Sequence, residues 1–235
     1  MLEVIAETVG DAIAAEAGGA DRIELVAALS EGGLTPSIGM AASVIEAVGI
    51  PVHVMIRPHS RSFHYGREDL AAMRGDIEAL RRVGAHGLVL GALDGSKAID
   101  KDAVQRLLEV SGGLPVTFHR AIDESPDLGA SLAELAAFPS ISRVLSSAGK
   151  ADVRTALKEV KQLQAEAKRL GIVFMAGSGL TVESIIPFVQ ATGVAEIHMG
   201  TGVRGKDGQG RSAVSADKVA AAKASLNAIK SIGNP

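Results

Sequence analysis

The sequence has no cysteine, no tryptophan and few aromatic residues of any kind. Without cysteine the chain cannot form disulfides, thiolate zinc or copper sites, or a cysteine nucleophile. Aromatic side chains make up 3% of the 235 residues, so we do not expect the stacking platforms that bind single-stranded nucleic acid. Hydrophobic runs are short as well, and none approaches the ~18 residues that a membrane-spanning helix requires.

An excess of either charge is also lacking, because the formal net charge is only −3. No basic run stands out, so we expect neither nucleic acid nor an anionic membrane as a partner. The first residues, MLEVIAETVG, do not place a basic segment ahead of an apolar one, as a signal or transit peptide would. We therefore expect a cytoplasmic protein whose residues 1–235 form a single domain with a full hydrophobic core.

Short β-branched runs alternate with longer amphipathic segments eight times along the chain. One of the longer segments, Glu68–Val83, repeats apolar residues three and four positions apart, as an amphipathic helix does. Strict alternation implies parallel strands, and eight units favour a closed (β/α)8 TIM barrel over an open doubly wound sheet. The predicted strands are Leu2–Ala6, Arg22–Leu25, Val52–Ile56, Leu88–Gly91, Val116–His119, Arg143–Ser146, Ile172–Met175 and Glu196–Met199.

In several of these strands, apolar and polar residues alternate, so that one set of alternate positions is apolar and the other carries the polar groups. Charged side chains beneath a covering helix would be costly to desolvate, so the polar parity should face the barrel interior. The residues predicted to face inward are Glu3, Arg22, Glu24, His53, Arg57, Thr117, His119, Glu196 and His198. Because active sites of this fold use strand carboxyl ends, we assign the early residues to an internal ion-pair network, for instance Arg22 with Glu3 or Glu196.

The late residues predict a functional site. Glu24, His119 and His198 are the candidates for acid–base catalysis, although a hydrogen-bonded core histidine is the alternative for His119. Arg57 or Arg120 could bind an anionic substrate, and Asp123 lies in the same segment as Arg120. The loop that begins at Arg57 is polar and could fold over the barrel mouth as a lid.

Two glycine-rich turns, MAGSG (175–179) and MGTGVR (199–204), follow the seventh and eighth strands. Such turns commonly form the phosphate cradle of a TIM barrel, because glycine lets backbone amides approach an anion. The predicted cradle residues are Gly177, Gly179, Gly200 and Gly202, and the alternative is that these glycines only make tight turns. Lys150 follows a strand in an exposed loop and is not assigned as a Schiff-base lysine. The segment Gly205–Arg211 is interpreted as a flexible loop.

The sequence does not define a metal or cofactor site. Glu24 and the histidines at 53, 119 and 198 could converge, but no local ligand spacing such as HxH or HExxH supports a metal centre. Cu(I) prefers sulfur ligands, and only three methionines lie near strand ends. These methionines are Met55, Met175 and Met199.

Five segments resemble the copper homeostasis protein CutC family: ADRIEL (20–25), LSEGGLTPS (29–37), PVHVMIRP (51–58), VTFHRAID (116–123) and MAGSG (175–179). The match runs in order along essentially the whole chain. The resemblance implies a cytoplasmic TIM barrel, a homodimer or higher oligomer, and a link to copper tolerance. It also implies polar mouth residues at Glu24, Arg57, His119, Arg120, Asp123 and His198.

One departure from the family concerns copper. Members of the family commonly carry cysteines at positions where this chain has Ile5 and Val26. Binding of Cu(I) through those thiols is therefore not expected here.

Three hypotheses stay open at this stage. The chain is a copper-handling protein, an enzyme with isomerase- or lyase-like acid–base chemistry on a small anionic or phosphorylated metabolite, or an interaction scaffold without catalysis. A phosphate or sulfate at the glycine turns would favour the enzyme, and tight Cu(I) binding would favour copper handling.

Overall fold

The computed structural model describes residues 1–232, and its centre is a closed barrel of eight parallel strands. The strands neighbour one another in sequence order, and β8 pairs with β1 to close the ring. This arrangement confirms the predicted (β/α)8 barrel. The predicted domain, 1–235, includes three C-terminal residues that lie outside the described range. The barrel strands are β1 (Leu2–Ala6), β2 (Arg22–Leu25), β3 (Val52–Met55), β4 (Gly87–Leu90), β5 (Val116–Phe118), β6 (Ile141–Ser146), β7 (Val173–Gly177) and β8 (Glu196–Met199).

Helices follow the strands and cover the outside of the barrel. The longest of those between two barrel strands shows why they form: it buries Met73, Ile77 and Leu80 on one face and has acidic residues in its first turn and basic residues in its last turn. The helices described within residues 1–232 are α1 (Val9–Ala17), α2 (Ile38–Ala47), α3 (Arg67–Arg82), α4 (Lys101–Glu109), α5 (Leu128–Leu135), α6 (Leu157–Leu170), α7 (Ile185–Thr192) and α8 (Ala216–Ile232). Among the described residues, no helix combines the length and apolarity that crossing a bilayer demands.

Hydrophobic side chains pack in two separate places. The large cluster lies between strands and helices and contains most of the buried apolar residues, such as Phe118 and Phe174. The small cluster lies inside the barrel and consists of Ile5, Val26, Met55 and Val89, with Leu29 packed against it. We call this small group the inner apolar cluster. The backbone of the barrel wall separates it from the main core.

The predicted alternation of inward and outward residues is confirmed. All nine residues predicted to face inward are buried, while alternate residues such as Val4, Ile23 and Val54 join the outer cluster. The register between β5 and β6 shifts by one residue, because Val116 pairs with Ile141 and Thr117 pairs with Arg143. This irregularity accompanies an interior arginine at position 143.

The segment Gly205–Arg211 is partly paired and is not the open loop that its composition suggests. Strand β9 (Arg204–Lys206) pairs with β10 (Ser212–Val214) as an antiparallel hairpin after β8. Asp207 accepts hydrogen bonds from two turn amides, and an amide of β10 donates to the buried Asp11 at 2.8 Å. The interpretation as a flexible loop missed this pairing because each strand is only three residues long, too short for a recognisable alternation.

Candidate functional site

A cavity of about 460 Å³ lies at the carboxyl ends of the barrel strands. The six polar residues assigned to the mouth from the sequence all line it: Glu24, Arg57, His119, Arg120, Asp123 and His198. Two of the four predicted cradle glycines, Gly179 and Gly200, also line this cavity. Gly177 packs against Leu145 and His198, whereas Gly202 lines a separate groove beside α8. The roles assigned to these residues stay predictions.

Below the cavity, four charged side chains form a compact ion-pair network that we call the floor network: Glu3, Arg22, Arg143 and Glu196. The Arg22 guanidinium bonds to Glu3 and, at 3.3 Å, to Glu196. Arg143 donates two hydrogen bonds to Glu196, at 2.5 and 3.3 Å. Two positive and two negative groups therefore balance one another, as predicted for Arg22 with Glu3 or Glu196.

Glu3 keeps its charge within this network although it is fully buried. Burial alone would raise the pKa of Glu3, but the nearby Arg22 guanidinium and the hydrogen bond with His198 outweigh it. The pKa of Glu3 is therefore held well below its usual range. A carboxylate that is charged at neutral pH suits a structural role and the orientation of a neighbouring group.

His198 connects the floor network to the cavity. Its Nδ1 lies 2.7 Å from Glu3 Oε1, and its Nε2 lies 3.6 Å from Glu24 Oε2. Burial opposes charge on the imidazole, but the two carboxylates raise the pKa of His198 above its ordinary value. Glu3, His198 and Glu24 thus form a line from the barrel floor to its mouth.

Glu24 is the member of this line that reaches the cavity. Burial raises the pKa of Glu24 to about 7, with His198 acting in the opposite direction. Its Oε1 atom is buried and has no hydrogen-bond partner among the described residues. A carboxyl group that titrates near neutral pH can both accept and return a proton, which is the requirement for general acid–base catalysis.

Glu3, Glu24 and His198 place ligand-type atoms within 4.8 Å of one another, a distance that suits a metal ion. The two carboxylates approach different nitrogens of the His198 ring, and these nitrogens point in different directions. One ion therefore cannot use both contacts. The oxygen and nitrogen donors also do not match the preference of Cu(I) for sulfur. The trio fits a proton relay better than a metal chelate.

His119 lies across the mouth and has one nitrogen already engaged. Its Nδ1 accepts a hydrogen bond from the Ala121 amide at 3.2 Å, so the neutral ring carries its proton on Nε2. Burial, followed by the positive charge of Arg57, lowers the pKa of His119 to about 3. Nε2 has no partner among the described residues. These facts favour a neutral hydrogen-bond donor over the general base that the sequence suggests.

The position of the His119 ring depends on a neighbouring glycine, Gly91, which has no side chain. A Cβ atom built at Gly91 would lie 2.6 Å from two atoms of the imidazole. Real Cβ atoms do not approach so closely, so glycine at position 91 makes room for the ring. Gly87 makes the same kind of room for the His53 ring, at 2.5 Å.

Arg57 is a buried cation without an acidic partner among the residues that the structure describes. Its Nη1 donates to the backbone oxygens of Glu31 and Gly33, at 2.9 and 3.2 Å. No ion pair within 4.0 Å involves it among residues 1–232, and its Nε has no hydrogen-bond partner there. The Phe63 ring lies 4.7 Å from the guanidinium carbon and 4.9 Å from the His119 ring. The predicted lid loop therefore lies against the mouth through Phe63.

Arg120, by contrast, is already paired. It donates to Asp123 at 2.9 Å and to the Ser147 hydroxyl at 2.9 Å. Asp123 also accepts hydrogen bonds from the hydroxyl of Ser146 and the amide of Gly149, at 2.5 and 3.0 Å. This pair ties the segment after β5 to the loop after β6, so Arg57 is the better candidate for binding an anion.

The mouth also concentrates unusual backbone conformations. In the described part of the chain, four residues other than glycine have a positive φ, and all four lie in loops that follow barrel strands. In loops that lead from helices into strands, each described residue with a positive φ is a glycine. Such strain is often found at functional sites. The four residues are Ala28, Lys97, Ala148 and Ser178.

Sequence reasoning missed several residues of the site. Phe63 gave no signal except as one of two aromatic residues, with Tyr65, in a polar loop. Arg143 begins one of the predicted strands, but the alternation did not assign it to the interior. The inner apolar cluster gave no signal, because the strand alternation marks polar side chains and apolar residues are expected throughout a barrel strand.

Comparison with known proteins identifies close relatives. A sequence model of the CutC family matches residues 1–203. The family protein CutC of Xylella fastidiosa (strain Temecula1) is 41% identical over 197 residues, which cover 84% of this chain and 73% of the relative. The family protein CutC of Yersinia pseudotuberculosis serotype O:1b is 39% identical over 201 residues, which cover 86% of this chain and 78% of the relative.

Solved structures give a consistent result. The crystal structure of a protein designated copper homeostasis protein CutC, from Streptococcus agalactiae, superposes with a TM-score of 0.81 and 33% identity, covering 86% of this chain and 98% of that one. Phosphoribosyl anthranilate isomerase from Thermococcus kodakaraensis superposes with a TM-score of 0.62 and 18% identity, covering 96% and 97%. The second similarity concerns the fold alone.

Proposed function

The chain belongs to the CutC family, and from that premise we propose that it binds a small anionic metabolite at the barrel mouth and moves a proton on it. The reaction class would be that of an isomerase or lyase. The observation that carries the proposal is the buried guanidinium of Arg57, which has no acidic partner in the described part of the chain and lies in the same cavity as the Glu24–His198 pair. A cytoplasmic location and a homo-oligomer belong to the same proposal.

Arg57 would bind the anion. Burying an unpaired charge is costly, so a guanidinium that lacks a carboxylate gains most from an anionic ligand. Across the mouth, the amides of Gly179 and Gly200 make no backbone hydrogen bonds among the described residues, and they line the same cavity. Backbone amides of this kind commonly bind phosphate in TIM barrels.

Glu24 and His198 would transfer the proton. Glu24 would take a proton from a carbon or oxygen of the ligand, and His198 would share it, because the pair is in contact and both groups have raised pKa values. Glu3 would act as a positioning residue that holds His198 through Nδ1. His119 would donate a hydrogen bond from Nε2 to a ligand oxygen where negative charge develops.

The test uses exchange of carbon-bound hydrogen, which requires no knowledge of the final product. The protein is incubated in D2O with a panel of three- to six-carbon ketones and aldehydes that carry a phosphate or carboxylate group, and proton NMR follows the loss of signal beside the carbonyl. We expect exchange with at least one compound, and its loss in Glu24→Gln and His198→Asn. Exchange that survives both substitutions, or exchange with no compound, would contradict the proton-transfer proposal.

Copper handling is the second candidate, and one observation favours it. Met55 and Met199 are among the residues that line the cavity, and thioethers are suitable ligands for Cu(I). Titration with Cu(I) against a colorimetric chelator, under anaerobic conditions, tests it. Competition by the wild type that disappears in the Met55→Leu, Met199→Leu double variant would support a copper site. Equal competition by the two proteins would exclude these sulfurs as ligands.

Oligomeric state is tested separately. We expect light scattering during size-exclusion chromatography to give a mass that is a multiple of 24.0 kDa. A mass equal to one chain at micromolar concentration would contradict the proposed homo-oligomer.

A further inference from the structure

We propose that the ligand of this site is an anion that carries a short aliphatic or aromatic body, such as an alkyl or aryl phosphate or carboxylate. This inference rests on the proposed binding of an anion at Arg57 and adds the chemical class of the remainder of the ligand. It follows from the inner apolar cluster and from the position of that cluster beside the guanidinium.

The inner apolar cluster faces the cavity. Ile5, Val26 and Met55 line it directly, and Leu29 extends the same surface. These side chains are separate from the main core, so they are not needed to attach the helices to the barrel. On the other side, the cavity is lined by Leu145, Leu180 and Met199.

Gly33 joins this apolar surface to the anion site. Its carbonyl oxygen accepts the 3.2 Å hydrogen bond from Arg57 Nη1. A Cβ atom built at Gly33 would lie 3.2 Å from Val26 Cγ1 and 3.4 Å from Met55 Cε. The guanidinium and the apolar cluster therefore contact the same residue. A ligand with its anionic group at Arg57 would place its next atoms against Val26 and Met55.

The size of the cavity supports the same conclusion. A volume of about 460 Å³ lies within the range of roughly 300–1,000 Å³ that is typical of small-molecule sites. A bare oxyanion would leave most of this space, and its apolar walls, in contact with water. An apolar body would bury those walls and gain affinity with each carbon atom. The alternative is that the cluster only fills the barrel and contributes nothing to binding.

The experiment measures affinity along a series of probes by calorimetry: inorganic phosphate, then methyl, ethyl, propyl and butyl phosphate. We expect each added methylene to tighten binding by about threefold to fourfold, which is the value of its burial, until the cavity is full. Glycerol phosphate, which has the chain length of propyl phosphate but two hydroxyl groups, should bind more weakly than propyl phosphate. Affinity that is independent of chain length, or stronger binding of glycerol phosphate, would overturn the inference.

Variants assign the effect to the residues named. Val26→Thr replaces a methyl group by a hydroxyl of similar shape, and Ile5→Thr replaces an ethyl group by a hydroxyl; both should reduce the gain per methylene. Ile186→Thr makes a similar change on the exposed face of α7 and serves as the control. Melting curves confirm folding, and either of the two cavity variants is sufficient if the other does not fold. A gain per methylene that is unchanged in both cavity variants would overturn the inference.

The series also separates this inference from the proposed function. Binding of inorganic phosphate that is lost in Arg57→Met, combined with no effect of chain length, would support the anion site and overturn the apolar body. Absence of binding by any of these probes, and by acetate and hexanoate as the matching carboxylates, would overturn both.

Discussion

The floor and the mouth of the barrel contain the same kinds of side chains but differ in how these are paired. At the floor, Glu3, Arg22, Arg143 and Glu196 form a closed set of ion pairs. At the mouth, polar atoms of Glu24, Arg57 and His119 are buried and have no partner among the described residues. Buried polar groups without partners are uncommon in folded proteins, and each of them calls for an explanation. Glu24 and Arg57 therefore differ from the four floor residues in pairing more than in residue type or burial, whereas Arg120 and Asp123 at the mouth are paired with each other.

The boundary between the two regions is not sharp. His53 Nδ1 and Thr117 Oγ1 lie between floor and mouth and also have no partner among residues 1–232. Burial lowers the pKa of His53 to about 4, so its ring is neutral at physiological pH. A neutral, partly satisfied group is less costly to bury than a charged one. The two regions are thus best compared through their charged members.

The largest expected effect comes from removing one member of each region. Arg22→Met leaves Glu3 buried without its main partner, so we expect a loss of about 3 to 5 kcal/mol in the free energy of unfolding. Arg57→Met removes backbone hydrogen bonds but leaves no carboxylate unpaired, so its loss should be smaller. Urea denaturation at pH 7, followed by circular dichroism, measures both. Equal losses would mean that Arg57 is as structural as Arg22.

The second prediction uses pH, because the two carboxyl groups should respond in opposite directions. The pKa of Glu3 is lowered on folding, so its contribution is present above its ordinary pKa of 4.5 and is lost as pH falls. The pKa of Glu24 is raised to about 7, so its contribution is present below 4.5 and is lost as pH rises through 7. Compared with the wild type, Glu24→Gln should gain stability between pH 5 and 8.

Unfolding experiments at intervals from pH 3.5 to 8 measure this contrast. Glu3→Gln should be most destabilising at neutral pH, and its deficit should shrink as the solution becomes more acidic. The pKa of His198 is also raised on folding, so its contribution to stability changes with pH in the same direction as that of Glu24. This contribution is lost as pH rises above 6.5. Parallel pH profiles for the two glutamine variants would show that floor and mouth do not differ in this respect.

The third prediction concerns the strained backbone of the mouth. Ala28 has φ of 50°, a left-handed conformation that costs non-glycine residues roughly 1 to 2 kcal/mol. Ala28→Gly should therefore stabilise the protein by up to about 1 kcal/mol, after the greater entropy of unfolded glycine is subtracted. Ala221→Gly, in the exposed middle of α8, should destabilise by about 1 kcal/mol. Thermal unfolding measures both, and destabilisation by Ala28→Gly would show that no strain is relieved there.

The smallest expected effect concerns His119, whose imidazole should not change its protonation state near neutral pH. His119 should remain neutral, with its proton on Nε2, throughout the range from pH 5 to 8, because burial and Arg57 oppose a charge on the ring. Nitrogen-15 NMR of the imidazole distinguishes the two neutral tautomers and the charged form. A midpoint near 6.5, or a proton on Nδ1, would contradict the assignment of His119 as a donor.

Much of the barrel could be predicted because strand parity is a strong signal. Charged residues that alternate with valine and isoleucine, as in β2 and β3, left one orientation that did not bury charge under a helix. The approach failed for Arg143, where Ile141 and two polar residues open β6 and the register with β5 shifts by one residue. A shift of this kind interrupts the alternation on which the argument depends.

The protonation state and the hydrogen-bonding role of each buried group could not be predicted from strand alternation. Whether a buried histidine donates or accepts a proton depends on contacts made by residues distant in sequence, such as Glu3 with His198 across 195 positions. The inner apolar cluster is a related case, since Ile5 and Val26 look like ordinary core residues until the cavity beside them is known. The spacing of residues along the sequence does not predict such contacts between distant positions.

Gly91 offers a way to displace the His119 ring without deleting it. Gly91→Ala adds a single methyl group where the His119 imidazole now lies, so the ring must tilt or slide while its chemical identity is preserved. Misplacement by about 1 Å is enough to reduce turnover a hundredfold in some enzymes. The absence of a side chain at position 91 therefore fixes where the His119 imidazole lies, although glycine itself takes part in no chemistry.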